Sequence, residues 1–434
     1  MSTIFHLSGP CGQSARRTFF PHSSNKSVAY WLLGSAASVF GIVVFGGLTR
    51  LTESGLSITE WRPVTGSFPP VSETDWEAEF AKYRLSPEFK QLNSNMDLAA
   101  FKQIYWMEWT HRVWGRVVGI TFLLPTIYFI ARRRVSAPVA ASLVGISGLI
   151  GLQGFIGWWM VKSGLKDDLF AKGEVPRVSQ YRLTIHLGAA FVVYCSMLYT
   201  GLSILRERRF LSMPTVTALE QLNNLASPAF RPFRIATGLL AALIFTTAMS
   251  GALVAGLDAG LIYNEFPYMG LGLTPPKAEL FDIFYSRKED RSDLIWRNAT
   301  ANPSLVQLDH RVLAVTTFTA VHALWLWSRF SPRTRTALAR IPRGGRGVLG
   351  VVHFTWLQVI LGISTLIYLV PTWLAASHQA GALALLTMSM VLGSRVWVPR
   401  RAMRLVQQAA RAQGPSSHFT TTTPSLTAHG IRSA

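Results

Sequence analysis

Eight stretches of about twenty residues, each dominated by apolar side chains, run along this chain over roughly 29–49, 109–131, 139–161, 182–204, 234–256, 306–328, 348–370 and 373–395. Runs this long and this poor in charge predict helices that satisfy their own backbone groups inside hydrocarbon. Gly and Trp recur within them, as close helix contacts and interfacial anchoring require. The predicted fold class is all-α integral membrane, with eight transmembrane helices.

The polar connections alternate in charge. Arg132–Arg134 follow the second run, Arg206, Arg208, Arg209, Arg231 and Arg234 surround the gap between the fourth and fifth, and six Arg lie between Arg329 and Arg346. The opposite connections are mixed, and residues 50–108 include Glu53, Glu60, Glu73, Asp75, Glu77 and Glu79. The positive-inside rule then puts both termini on the matrix side of a mitochondrial inner membrane, or on the cytoplasmic side of a bacterial plasma membrane. Within the long acidic connection, Thr74 and Glu77 have capping-box spacing, and Trp76, Phe80 and Tyr83 recur at helical spacing. A short helix lying on the outer surface is expected there.

The chain also repeats itself. Gly46–Glu60 aligns without gaps with Gly251–Glu265, 205 positions later, matching Gly46 to Gly251, Glu53 to Asp258, Gly55 to Gly260 and Glu60 to Glu265. Further on, His111-Arg112 answers to His310-Arg311, Leu152-Gln153 to Leu357-Gln358, and His186 to His378. Four spans per half is an even number, so both halves enter the membrane in the same sense: two pseudo-symmetric four-helix bundles in a parallel repeat. The expected organisation is a presequence or basic tail over 1–28, an N-terminal half over 29–204, an inner-side linker over 205–233, a C-terminal half over 234–395, and a basic, then Ser/Thr-rich, disordered tail over 396–434.

Composition narrows the function. Of 434 residues, 49% are hydrophobic and 15% charged, too few charges to cover a soluble domain's surface. The net charge of +20 sits between apolar runs, so it serves orientation and not nucleic-acid binding. Two cysteines, Cys11 and Cys195, exclude a disulfide framework and covalent C-x-x-C-H heme attachment.

Histidines carry the candidate chemistry, because an ionisable residue in a span is functional by default. His111, His186, His310 and His378 all fall near the outer ends of alternate spans, two per half. Such pairs can meet inside a bundle and ligate one heme iron each. Zinc or copper is the weaker reading, since no Cys, Asp or Glu supplies a third ligand in both halves. Arg112 and Arg311, directly after a His, are candidates for heme propionates or for interfacial snorkelling. His322 and His353 lack counterparts in the first half and read as structural. The halves differ at one position: Glu108 stands a turn before His111, and Gln307 a turn before His310. Only the carboxylate can take a proton, so the first half is the expected seat of chemistry and the second of a resident heme.

GGLTRLTESGLSITEW, MEWTHRVWGR, LQGFIGWWMVKSGL, QYRLTIHLGAAF, VQLDHR and SHQAGALALL together resemble the heme A synthase family, in its mitochondrial and proteobacterial branch, over about residues 29–395. The resemblance implies an enzyme that oxidises the C8 methyl of heme O to a formyl group by two hydroxylations, making heme A for cytochrome c oxidase. It implies heme b on His310 and His378, substrate heme O on His111 and His186, and catalysis at Glu108. Water is the expected oxygen source. Expected partners are heme O synthase, a ferredoxin-type electron donor or acceptor and oxidase assembly factors, with no nucleic acid and a homo-oligomer left open. A bis-histidine electron-transfer cytochrome without substrate chemistry is the rival; it needs hemes near opposite faces, whereas these histidines share one. A transporter ranks third, for want of charged residues at mid-depth.

Overall fold

The computed structural model describes residues 19–62, 65–166 and 177–412. Most of the expected presequence and all of the Ser/Thr-rich tail beyond 412 lie outside them. Every regular element among the described residues is helical. The first half contains α1 (Lys26–Leu51), the short α2 (Glu73–Arg84) and α3 (Pro87–Gln91), then α4 (Leu98–Ala131), α5 (Ala137–Gly164) and α6 (Gln180–Leu211). Next come α7 (Thr215–Ala226) and α8 (Arg231–Gly256). The connection after α8 carries α9 (Lys277–Leu280) and α10 (Leu294–Ala301) before α11 (Pro303–Phe330). The described residues end with α12 (Pro332–Ala339), α13 (Gly344–Ile367), α14 (Thr372–Val396) and α15 (Arg400–Ala412).

Among the described residues seven helices, α1, α4, α5, α6, α8, α13 and α14, are long and apolar enough to cross a membrane. The eighth expected span, α11, has the length at 28 residues, but Gln307, Asp309, His310, Arg311 and His322 make it too polar to count with them. It packs against α8 and α13. In the first half α1 packs on α4 and α6, and α5 on the same two helices; in the second, α14 packs on α13 and α8. The halves meet where α6 lies against α8 and α14, and α1 against α14. Polar bonds cross that seam: Arg50 Nη2 reaches Asp258 Oδ1 at 2.7 Å, Gln379 Nε2 donates to Val43 O at 2.9 Å, and the Tyr194 and Thr387 hydroxyls lie 2.6 Å apart.

Two local readings change. The second span begins at Leu98, well before 109, because residues 98–108 have a partner: Phe101 and Tyr105 are buried against α2. Phe101 stacks on Phe80 and Tyr83 at 4.9 and 5.3 Å between ring centroids, and Tyr105 meets Trp76 edge-on at 5.1 Å. The capping box of α2 is Ser72 with Asp75, not Thr74 with Glu77. Starting there puts Glu73 and Asp75 in the first turn, where the helix dipole favours acids. Trp76, Phe80 and Tyr83 are buried as their spacing predicts, and they pin α2 onto the N-terminal extension of α4.

Candidate functional site

Each of the four expected histidines projects from a long helix toward a glycine on a neighbour. An added Cβ would stand 2.8 Å from His111 Cε1 at Gly46, 3.1 Å from His186 Cε1 at Gly157, 3.1 Å from His310 Cε1 at Gly251 and 2.8 Å from His378 Cε1 at Gly362. Contacts below about 3 Å force something to move, so at Gly46 and Gly362 above all only a missing side chain lets the Cε1 edge of the imidazole approach the next helix so closely. Gly157 and Gly362 are functional positions that pattern reading did not single out, although the same offset of 205 relates them.

In the second half the two rings face one another, with centroids 6.4 Å apart and planes at 89°. That separation leaves room for one metal ion to sit between the two rings at bonding distance from a nitrogen of each, about 2 Å. The His310 ring is oriented from behind. Ser250 Oγ lies 2.8 Å from Nδ1 and gives its own hydrogen to Thr247 O. With its hydrogen on Thr247 O the Ser oxygen accepts from Nδ1, the tautomer that leaves Nε2 with its lone pair free. Gln358 Nε2 sits 3.0 Å from His378 Nδ1 and donates to His378 O at 2.8 Å, tying ring and backbone to α13.

The first half is looser. His111 and His186 are within electrostatic reach of one another, but both Nδ1 atoms are buried without a hydrogen-bond partner. Gln153 Nε2 donates to His186 O at 2.8 Å, as its counterpart does, without touching the ring. Ser250, Gln153 and Gln358 were not expected as orienting groups; the repeated Gln was visible in the sequence, but its target was not. Among the described residues no three His, Cys, Asp or Glu converge, so neither pair belongs to a closed three- or four-ligand metal site.

Glu108 and Gln307, both 3% exposed, differ in what surrounds them. Glu108 Oε2 accepts from the Ser57 hydroxyl at 2.6 Å and the Ile58 amide at 2.7 Å, and Oε1 accepts from Arg112 Nη2 at 2.6 Å. Gln307 instead donates from Nε2 to Tyr263 O at 2.9 Å, and its Oε1 has no partner. Arg112 also donates to Ile58 O, and Arg311 to the carbonyls of Tyr263, Glu265 and Tyr268. Both guanidinium groups therefore clasp the loop after the first helix of their half, while Arg311 Nε remains buried and unpartnered. Away from this site, His322 bonds the carbonyl of Phe318 through Nδ1 at 2.8 Å and packs on its ring and on Trp356, and His353 is exposed. Neither joins the four.

Residues 29–390 match the family described as cytochrome oxidase assembly protein, COX15-CtaA. The chain is 52% identical over 385 residues to heme A synthase COX15 of Saccharomyces cerevisiae, covering 88% of this chain and 78% of that one. A heme A synthase–mitochondrial ferredoxin fusion protein of Schizosaccharomyces pombe is 51% identical over 375 residues, 86% of this chain and 60% of the fusion. A heme A synthase of Nitrosospira multiformis is 41% identical over 362 residues, 83% and 91% of the two chains.

Proposed function

The chain belongs to the heme A synthase family, and from that premise we propose how its residues divide the work. It is a membrane-embedded oxidoreductase that converts heme O to heme A in the assembly of cytochrome oxidase, and its relatives' mitochondrial setting assigns it to the mitochondrial inner membrane. The assignment of roles is our reading. His111 and His186 hold heme O as substrate, and Glu108 removes the protons released as the C8 methyl becomes a formyl group in two hydroxylations with oxygen from water. One observation carries this reading: a carboxylate with three donors stands one turn from His111, where the other half has an amide.

His310 and His378 would hold heme b, which when bound supplies one-electron redox chemistry. Their ring separation, the Nε2 lone pair left free on His310 and the small glycine surfaces behind both rings fit such a group. Preset rings suit a permanent occupant, and untied Nδ1 atoms in the first half suit a substrate that enters and leaves. Arg311, with its buried free Nε–H, and Arg112 are the proposed propionate partners. We also read α11 as the eighth span and the chain as a parallel repeat. Supporting this, Glu53 and Asp258, equivalent in the repeat, both adopt left-handed backbone at φ 51°, and each His meets its glycine in the corresponding way. The expected boundaries at 29–204, 205–233 and 234–395 follow from that reading, as does placing both termini on the matrix side. A ferredoxin-type electron partner is supported by the fission yeast fusion.

The test is direct. Purified protein supplied with heme O, an electron acceptor and oxygen-18 water should yield formyl-heme carrying the label; protein that binds hemes but forms no formyl product would be the rival cytochrome. A second expectation concerns Gln358. Its replacement by Leu leaves the His378 ring unsupported, and outer-shell losses of this kind typically cost 10–100-fold in metal affinity. Heme titration of the apoprotein, followed by Soret absorbance, should show that weakening; an unchanged affinity would deny Gln358 its orienting role.

A further inference from the structure

A small cavity in the first half is lined by residues that the repeat does not preserve. It holds about 190 Å³ and is bordered by Glu60, Trp61 and Arg112 and, from α5, by Trp158 and Lys162. The two indole rings lie 6.5 Å apart. Whole small-molecule ligands fill roughly 300–1,000 Å³, so this space suits a side arm of a macrocycle and not the macrocycle itself. Both of its cations stand close in the chain to a histidine contact. Arg112 follows His111, and Lys162 lies five residues beyond Gly157, against which the His186 ring packs. Five residues of helix rise about 7.5 Å, which reaches toward the rim of a heme on His186 and away from its iron. The charges in the cavity are unequally matched. Glu60 pairs with Arg62 and Lys82. Arg112 gives Nη2 to Glu108 Oε1 and Ile58 O, and Nη1 to Glu60 O at 3.3 Å. Lys162 differs: among the described residues its ammonium has the Trp158 ring, 5.2 Å away, and no acid. In the second half, 205 positions on, Ile363 and Ile367 stand where Trp158 and Lys162 do here.

We propose that this cavity receives a carboxylate arm of the substrate heme and that Lys162 is the residue that binds it, with the Trp61 and Trp158 rings flanking the arm's methylenes. This rests on the placing of heme O on His111 and His186. Two axial nitrogens hold an iron but leave the macrocycle free to turn about their axis. A cation at the rim stops that turn, because the carboxylate arms of heme O sit on one edge of the ring. Holding that edge decides which methyl group is presented to Glu108, so Lys162 determines specificity without touching the reacting carbon. Arg112, already engaged by Glu108, cannot alone match the charge of an added carboxylate as a free ammonium can.

Lys162→Met keeps an unbranched apolar stem and removes the charge. Heme O titrated into the variant, with its resident heme in place, should bind about 5-fold more weakly than to wild type, the upper range for an exposed ion pair. Lys162→Arg should recover most of that loss. The dimethyl ester of heme O, whose carboxylates are masked, should bind variant and wild type alike. The preference for free acid over ester therefore shrinks about 5-fold in Lys162→Met, a coupling that requires the charge and the carboxylate to interact. A lysine that served only the last turn of α5 would instead lower the melting temperature and weaken acid and ester equally. Unchanged heme O affinity in Lys162→Met, or equal loss for acid and ester, overturns the proposal. Retention of heme O by His111→Ala and His186→Ala overturns instead the placing of substrate in the first half, and those two variants tell the failures apart.

Discussion

Glu108→Gln should bind both hemes and yet form formyl-heme 10²- to 10⁴-fold more slowly, about the range that loss of a positioned acid–base group costs. The second half already shows what an amide does at this place: Gln307 turns its NH₂ to a loop carbonyl and leaves its oxygen without a partner. In the first half an amide would face the Ser57 hydroxyl, the Ile58 N–H and Arg112, with one oxygen where two now accept. The charge-assisted bond from Arg112, the strongest kind in the set, is lost outright. Arg112 keeps its bond to Ile58 O, so the loop should stay in place and KM should change little. The measurement is single-turnover conversion of heme O in heme-replete variant and wild-type protein, with spectra to verify heme content. A variant that keeps the wild-type rate would remove Glu108 from the chemistry.

His310→Ala should lose the resident heme and with it all turnover. Removing a ligand exceeds an outer-shell loss, which alone costs about 10–100-fold in affinity, so occupancy of the second half should fall to background in purified protein. The change also takes from Ser250 Oγ the ring it faces and opens a space beside Gly251, where the imidazole now lies. His378→Ala should behave alike, since the two rings form one opposed pair. His111→Ala and His186→Ala should instead retain the resident heme's spectrum while losing heme O binding. Quantifying heme by extraction, together with low-temperature spectra of the four variants, separates these cases. If His310→Ala retained a bis-imidazole signature, the assignment of the two halves would be reversed or wrong.

Much of this was legible before any coordinates. Apolar runs give spans because hydrocarbon offers no hydrogen bonds to a bare backbone, and seven of the eight meet that standard in the structure. The four histidines and the Glu108/Gln307 difference stand out because such residues are rare in spans and costly to place there. The ends of elements were less legible. The N-terminal extension of α4 is amphipathic, and its apolar face has meaning only once Phe80 and Tyr83 come to lie on Phe101. Thr74 and Ser72 offer equivalent caps, and local spacing alone does not choose between them.

What the amino-acid order determined by itself is thus the solvent each segment lives in and which uncommon side chains it carries at what depth, since both follow from transfer energies and from helix rise per residue. What only the tertiary structure decided is who faces whom. The glycine behind each imidazole, the Ser250 oxygen beside the His310 ring and the Ser57 and Ile58 donors on Glu108 all join residues on different helices or loops. A hydrogen bond depends on a few tenths of an ångström and on direction, and neither is written in a pattern along one chain.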